Sequence, residues 1–208
     1  MKNAIRFLIM DGTGMPLVVK VGGSLFSEAA GIVSTLRAGE RPLLVVPGGG
    51  PFTRIVRSMH IPDEPSHWMA IRAMDEYGWF LAAGGIPVTH DLSLTRGVVI
   101  LLPLRVMRER DPLPHSWDVT SDTISAWVAS ELRLDLLILK SVDGIMKDGT
   151  PIPRISEDMP SDVVDPCLIP FALAHGVRTT ILNGRVEGRV RDFLKGREVP
   201  GTVIEPRL

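Results

Sequence analysis

Two stretches of the chain place a glycine cluster directly behind a short apolar run, and one of them carries a lysine. Leu17-Val-Val-Lys20-Val21 leads into Gly22-Gly23-Ser24, and Leu43-Leu-Val-Val46 leads into Pro47-Gly48-Gly49-Gly50. Glycine lets the backbone turn sharply and approach a ligand closely. A helix that begins behind such a turn offers free N–H groups and the positive end of its dipole to an anion. Two junctions of this kind at neighbouring strand ends would place two anion sites across one crevice. A phosphoryl donor and an acceptor that carries a phosphate or carboxylate need that arrangement. Taken singly, each cluster reads equally well as a tight strand-to-helix turn; the pair favours ligand binding. Neither matches GxxxxGK[ST] or GxGxxG.

Arginine supplies most of the cations, yet Lys20 stands inside Leu-Val-Val-Lys-Val. A compact ammonium there can follow the charge on a transferring phosphoryl group without the planar demands of a guanidinium. A snorkelling surface lysine fits that apolar setting poorly.

The elements that must position these residues alternate between short apolar runs and longer helical patterns, which predicts an α/β fold of βα units around a mainly parallel sheet. Strands are expected at 17–21, 43–46, 86–89, 98–102, 136–139, 179–182 and 202–204. Helices are expected at 28–37 with Ser27 as cap, at 52–59, 66–83, 121–133, 167–175 and 187–194. Residues 103–115, rich in proline and arginine, read as a loop that covers a site. Asp143-Gly144 and Asp148-Gly149 suggest a β-hairpin. One domain over 1–208 is expected, with an acceptor-side half at about 17–133 and a nucleotide-side half at about 134–208.

Composition removes several classes. The chain has 208 residues, 45% hydrophobic and 23% charged, with a net charge of −1. No basic excess is present to neutralise a nucleic-acid backbone. Cys167 is the single cysteine, so an intrachain disulfide is excluded, and the five histidines have no metal-ligand spacing. The apolar run Ile5 to Met10 is too short to span a membrane and no convincing cleavage site follows it, so a cytoplasmic location is expected.

Five segments in order resemble the amino acid kinase superfamily, with its three-layer αβα (carbamate kinase-like) fold. They are Lys20-x-Gly-Gly-Ser24, Gly48-Gly49-Gly50, Thr120-Ser121-Asp122, Val142-Asp143-Gly144-Ile145 and Gly201-Thr202-Val203-Ile204. The resemblance covers nearly everything from Leu17 onward and implies a kinase using ATP and Mg²⁺, without dedicated metal ligands, in a homo-oligomer. It casts Lys20 as the lysine that stabilises the transferring phosphoryl, Asp122 as the aspartate that orients it, and Gly22, Gly23 and Ser24 as phosphate-binding. The helix dipole would favour a carboxylate at Asp122 in any case. Gly48, Gly49 and Gly50 become the acceptor loop; Lys140, Ser141, Asp143, Gly144, Met146 and Lys147 become the nucleotide side. The chain departs from the family in having Met146 where many members have an aromatic residue. A second, late-helix lysine has no counterpart near Cys167, leaving Lys140 or Lys147 for that role.

Within the superfamily, residues 67–71, 117–122 and 181–185 resemble a small archaeal-type subgroup. Its activity is phosphorylation of (5-(aminomethyl)furan-3-yl)methyl phosphate to the diphosphate in methanofuran synthesis. On that reading Arg54 and His67 would bind the acceptor phosphate and Asp75 its ammonium group. Each of His67 and Asp75 reads equally well as decoration of an amphipathic helix. A UMP, isopentenyl phosphate or carboxylate kinase of the same fold, and a nucleotide-binding sensor or storage protein without turnover, are the competing expectations.

Overall fold

A computed structural model describes residues 14–147 and 149–205; the apolar run at Ile5 to Met10 and Asp148 lie outside them. Its centre is a sheet built from β1 (Leu17–Val21), β2 (Leu43–Pro47), β3 (Val88–Thr89), β4 (Val98–Leu101), β5 (Leu136–Lys140), β8 (Arg154–Ile155), β9 (Thr179–Asn183) and β10 (Thr202–Ile204). The order is β3-β4-β2-β1-β5-β9-β10-β8. Every pairing from β3 to β9 is parallel, and β10 runs antiparallel to β9. The inner strands are fully buried apolar runs because helices cover both faces. A separate hairpin pairs β6 (Met146–Lys147) with β7 (Thr150–Pro151), as the two Asp-Gly pairs suggested.

Side-chain alternation sorts the sheet into two cores. Leu17, Val19, Val21, Leu43, Val45, Leu137 and Leu139 pack with α1 (Ala29–Arg37) and with Val190 of α7 (Arg189–Leu194). Val18, Leu44, Val46, Leu136 and Ile138 pack on the other face with α5 (Ser121–Leu132) and α6 (Leu168–His175). Of the remaining helices, α2 (Phe52–Ser58) and α4 (Leu104–Arg110) flank α3 (Asp63–Ala82). The long α3 straddles the layers: Ile71 and Met74 enter one core, Tyr77 and Leu81 the other. The result is the mainly parallel sheet that the alternating pattern implied, within the three-layer αβα sandwich that the resemblance implied. Among the described residues no helix is long and apolar enough to cross a membrane.

Three local expectations need correction. The first glycine junction opens into a 3-10 stretch, Gly23–Glu28, before α1 begins at Ala29. Ser27 therefore lies inside that stretch and makes no capping bond, and the α1 dipole starts well behind the glycines. Residues 103–115 contain α4, whose Val106 and Met107 are buried; the surrounding arginines masked this short apolar face. The Leu104 N–H at its start is capped by Asp75 Oδ1 at 3.1 Å.

Ile138 lies at the middle of β5, fully buried between β1 and β9. Ile138→Ala should lower stability by about 2–5 kcal/mol through lost transfer energy and a residual cavity. Denaturant unfolding measures this, and an unchanged midpoint would contradict the packing described.

Candidate active site

The chain leaves β1 for β2 on one side and later returns to lay β5 along the other side. Such a switch point opens a crevice at the carboxyl ends of the strands, where open α/β sheets bind ligands. Lys20 pairs in register with Ile138, so Lys140 sits two residues further along the adjacent strand and points to the same face. The first turn of α5 covers that face and brings Asp122 down between the two lysines.

Lys20 Nζ lies 2.6 Å from Asp122 Oδ1, and Lys140 Nζ lies 2.6 Å from Asp122 Oδ2. Lys20 and Asp122 are 3% and 2% exposed, so the carboxylate is sealed and bridges two ammonium groups. Burial works against its charge, but Lys20 and Lys140 together outweigh burial and hold Asp122 at about 2. Lys20 moves the other way: burial dominates over the attraction of Asp122 and brings the ammonium down to about 8. These shifts set opposite stability windows. Asp122 contributes stability that is present above about pH 3.8 and lost as pH falls through about 2. Charging Lys20 opposes folding below about pH 8, and that opposition fades as pH rises toward 10.5.

The turn that carries Asp122 is held from a distance. Asp165 Oδ2 accepts from Thr120 N at 2.9 Å, Thr120 Oγ1 at 2.8 Å and Thr123 N at 3.0 Å; its Oδ1 accepts from Thr123 Oγ1. The Asp165 N–H in turn donates to Asp122 Oδ2 at 3.3 Å. Thus the start of α5 is capped by a residue 45 positions later in the chain rather than by its own Thr120 side chain.

Above Lys20 the two glycine clusters touch. A Cβ on Gly23 would lie 2.7 Å from Gly50 N, and one on Gly48 would lie 2.8 Å from Gly23 N. Gly50 adopts φ +55°, with a Cβ 3.1 Å from the Tyr77 ring, so a side chain there is excluded twice. The Gly22 N–H bonds to Leu139 O and the Gly48 N–H to Val21 O. Both are therefore spent on holding the strand ends together, which removes them as anion donors in this conformation. Among the described residues, no backbone carbonyl accepts from Gly23, Gly49 or Gly50. Ser24 is exposed at the crevice rim, with its carbonyl held by Arg185.

Beside Gly49 lies a cavity of about 60 Å³ between α2, α3 and the segment leading to α5, lined by Thr53, Arg57, His67, Ile71, Trp117 and Thr120 among others. His67 Nε2 and Thr53 Oγ1 are buried without partners. Burial first, and the His115 ring stacked at 4.5 Å second, push His67 below its usual value. Arg57 lies over the Trp117 ring at 4.3 Å. Arg54 stands exposed and outside this lining, and Asp75 is occupied at the start of α4. Of the acceptor-side residues expected from sequence, the cavity gathers Gly49 and His67 but not Arg54 or Asp75.

On the other side of β5, Ser141 is half-buried, and Asp143 is tied by Arg189 and by Asn183 at 3.1 Å, which hold its carboxyl below the usual value, Arg189 more strongly. Gly144 has φ +147° and a Cβ 2.5 Å from Thr202 Oγ1. That hydroxyl also receives the Ile145 N–H at 2.9 Å and donates to Ile152 O at 2.7 Å. The Gly144 and Gly201-Thr202 motifs are thus two halves of one joint. Met146 and Lys147 are exposed on the hairpin. No three His, Cys, Asp or Glu side chains among the described residues converge to hold a metal ion.

A family model described as the amino acid kinase family matches residues 15–181. The chain belongs to the amino acid kinase family. It is 28% identical over 201 residues to [5-(aminomethyl)furan-3-yl]methyl phosphate kinase of Methanocaldococcus jannaschii, covering 86% of this chain and 93% of that protein. Among solved structures it resembles uridylate kinase from Archaeoglobus fulgidus, with TM-score 0.66, 17% identity and coverage of 91% and 99%. It also resembles isopentenyl phosphate kinase, with TM-score 0.65, 18% identity and coverage of 91% and 100%.

In this amino acid kinase, sequence reading missed Asp165, Arg57, Thr53 and His115. Arg57 follows Arg54 by one helical turn, so spacing alone did not separate them. Asp165 precedes a proline in what reads as a turn, and only the fold carries it to Thr120 and Thr123. Lys140 had a usable signal: alternation along two parallel strands places it beside Lys20.

Asp122→Asn should leave two lysines facing a neutral amide in a sealed site. We expect a loss of about 3–5 kcal/mol, the usual cost of removing one partner from a buried ion pair. Equilibrium unfolding at pH 7 tests it; stability within 1 kcal/mol of the parent, roughly the scatter of a surface substitution, would mean that the lysines escape to solvent.

Proposed function

We propose that the chain is an ATP-dependent kinase that transfers the γ-phosphoryl group to a phosphomonoester, with (5-(aminomethyl)furan-3-yl)methyl phosphate as the leading acceptor. The observation that carries this reading is the buried Lys20–Asp122–Lys140 bridge beneath two touching glycine loops. The 28% identical relative from Methanocaldococcus jannaschii supports the choice of acceptor.

In this mechanism an ionised acceptor phosphate oxygen attacks Pγ, the bond from Pγ to the β–γ bridging oxygen breaks, and ADP leaves as the P–O–P bond of the diphosphate forms. Little covalent work falls to the protein, so positioning and charge stabilisation dominate. Lys20 and Lys140 reach the transferring group from adjacent strands, and Asp122 sets their spacing. Asp122 is no base, because the ionised nucleophile has no proton to surrender and a carboxylate held at about 2 is a poor proton acceptor. Free N–H groups of Gly23, Gly49 and Gly50 face the crevice as anion donors. The acceptor side is the cavity of Thr53, Arg57 and His67; the nucleotide lies across β5, toward Ser141, Gly144 and the hairpin. Mg²⁺, carried by the triphosphate and water, would neutralise developing phosphate charge.

Lys20→Ala and Lys140→Ala should each lower kcat by about 10²-fold or more while altering the ATP KM far less, since both charges act in the transition state. Lys147→Ala should retain near-parental kcat. kcat/KM for ATP should fall above about pH 8, where free Lys20 loses its proton. The kcat limb should sit higher, because bound phosphate favours the ammonium. Steady-state kinetics with coupled ADP detection measures all of these, and an active Lys20→Ala enzyme would overturn the assignment.

On the acceptor side, Arg57→Ala should raise the acceptor KM about tenfold or more, the scale of one charge-assisted hydrogen bond, and Arg54→Ala should change it little. An acceptor panel tests substrate class at the same time. Turnover confined to UMP or an acidic amino acid would reject the phosphomonoester reading, as would an Arg57 effect limited to ATP.

A further inference from the structure

Asp165 is the buried titratable group that phosphoryl transfer, as outlined above, leaves without a role. It is 8% exposed and meets no cation within ion-pair distance among the described residues. Removing a carboxylate from water without pairing is costly. A helix start asks for much less: Ser, Thr or Asn caps one nearly as well as Asp. Here the carboxylate comes from a distant segment, takes two N–H and two O–H donors from Thr120 and Thr123, and adds its own N–H to Asp122. The Asp165 charge reaches Lys20, one of the two ammonium groups bridged by Asp122. With Asp122 alone, two ammonium groups would share one carboxylate; with Asp165 the buried group holds two charges of each sign.

We propose that Asp165 is a positioning residue for the phosphoryl-transfer lysines, locking Asp122 against Lys20 and Lys140 through the first turn of α5 and balancing the second ammonium charge. The inference rests on the kinase reading for its effect on turnover, but the arrangement itself does not. The titratable groups that face Lys20 are Asp122 on α5, Lys140 on β5 and Asp165 on the segment before α6. Of these, Asp122 and Asp165 favour the Lys20 ammonium and Lys140 opposes it. Around Asp165 itself, burial and Asp122 push the carboxyl upward, and the donors of Thr123 and Thr120 oppose them. Cys167 lies close enough to feel the Asp165 charge, which raises its thiol after burial has done so.

Two variants divide the proposal. Asp165→Asn keeps size and much of the hydrogen bonding but removes the charge; Asp165→Glu keeps the charge but displaces it by one methylene. The Lys20 titration is followed by NMR of protein labelled with ¹⁵N at lysine Nζ, alongside kcat and the alkaline limb of kcat/KM for ATP. In Asp165→Asn the Lys20 midpoint and the limb should both fall by about half to one pH unit, the size of one lost neighbouring charge. In Asp165→Glu the midpoint should hold while kcat falls about tenfold or more through misplacement of the lysines. Thr123→Val, which strips one donor and leaves the charge, should lower thermal stability without moving the midpoint. An unmoved midpoint in Asp165→Asn, or a parental kcat in Asp165→Glu, overturns the proposal and leaves Asp165 as a helix cap. If Asp165→Asn does not fold, Asp165→Glu decides alone. A wild-type protein without turnover would reject the kinase reading, and the NMR titration would still test Asp165.

Discussion

A carboxylate sealed from water between two ammonium groups is a demanding arrangement, because the hydration it loses must be recovered from those two cations. At Asp122 the recovery is complete only if β1, β5 and α5 meet at fixed positions. Lys20 must sit at the register where Ile138 pairs with it, Lys140 must lie two residues beyond, and the first turn of α5 must descend between them. A slip of one residue in either strand would turn its lysine to the opposite face. The ion bridge therefore specifies strand register at the centre of the sheet, and the apolar packing of Val18, Leu136 and Ile138 on the same face gives it a rigid floor.

The glycines answer to the same geometry. Their clusters were expected to be ligand-binding turns, and what the fold adds is that they touch each other. Gly22 lies against Leu139 O, Gly48 against Gly23 N, and Gly23 against Gly50 N. Each contact is closer than a side chain permits, so the β1 and β2 loops and the end of β5 converge over Lys20 only when all three positions lack a Cβ. Two of the N–H groups, those of Gly22 and Gly48, close this joint, and no backbone carbonyl among the described residues accepts from Gly23, Gly49 or Gly50. The division of labour among the glycines depends on neighbours from three separate strands. It is absent from the local sequence.

Legibility followed that distinction. Alternating apolar runs exposed the sheet, its burial and its helical layers, because those signals are local and repeat over several residues. Lys20 stood out because a charge inside an apolar strand conflicts with its surroundings. Residues whose roles depend on distant partners stayed hidden. Asp165 looks like a turn residue until α6 brings it to Thr120, and Asp75 looks like a polar helix face until α4 places the Leu104 N–H over it. Arg54 and Arg57 differ only in rotation about α2, which the packing of α2 on α3 decides.

Lys140 shows how one constraint can be met from an unexpected element. On the proposed reading, a second positive charge near the transferring phosphoryl need not come from a late helix; it needs only to reach the other oxygen of Asp122. The last residue of β5 does so with its side chain 16% exposed, so Lys140 keeps contact with solvent while Lys20 does not. The two ammonium groups are consequently unequal. Burial lowers Lys20 to about 8, close enough to neutrality for an arriving anion to change its protonation, and on the proposed kinase reading its charge is most secure when phosphate is bound. Asp122 cannot follow the same course, since two cations hold it ionised at about 2. The bridge thus combines a fixed negative pivot with one cation whose strength depends on the ligand, and an interior that withholds water is what creates that dependence.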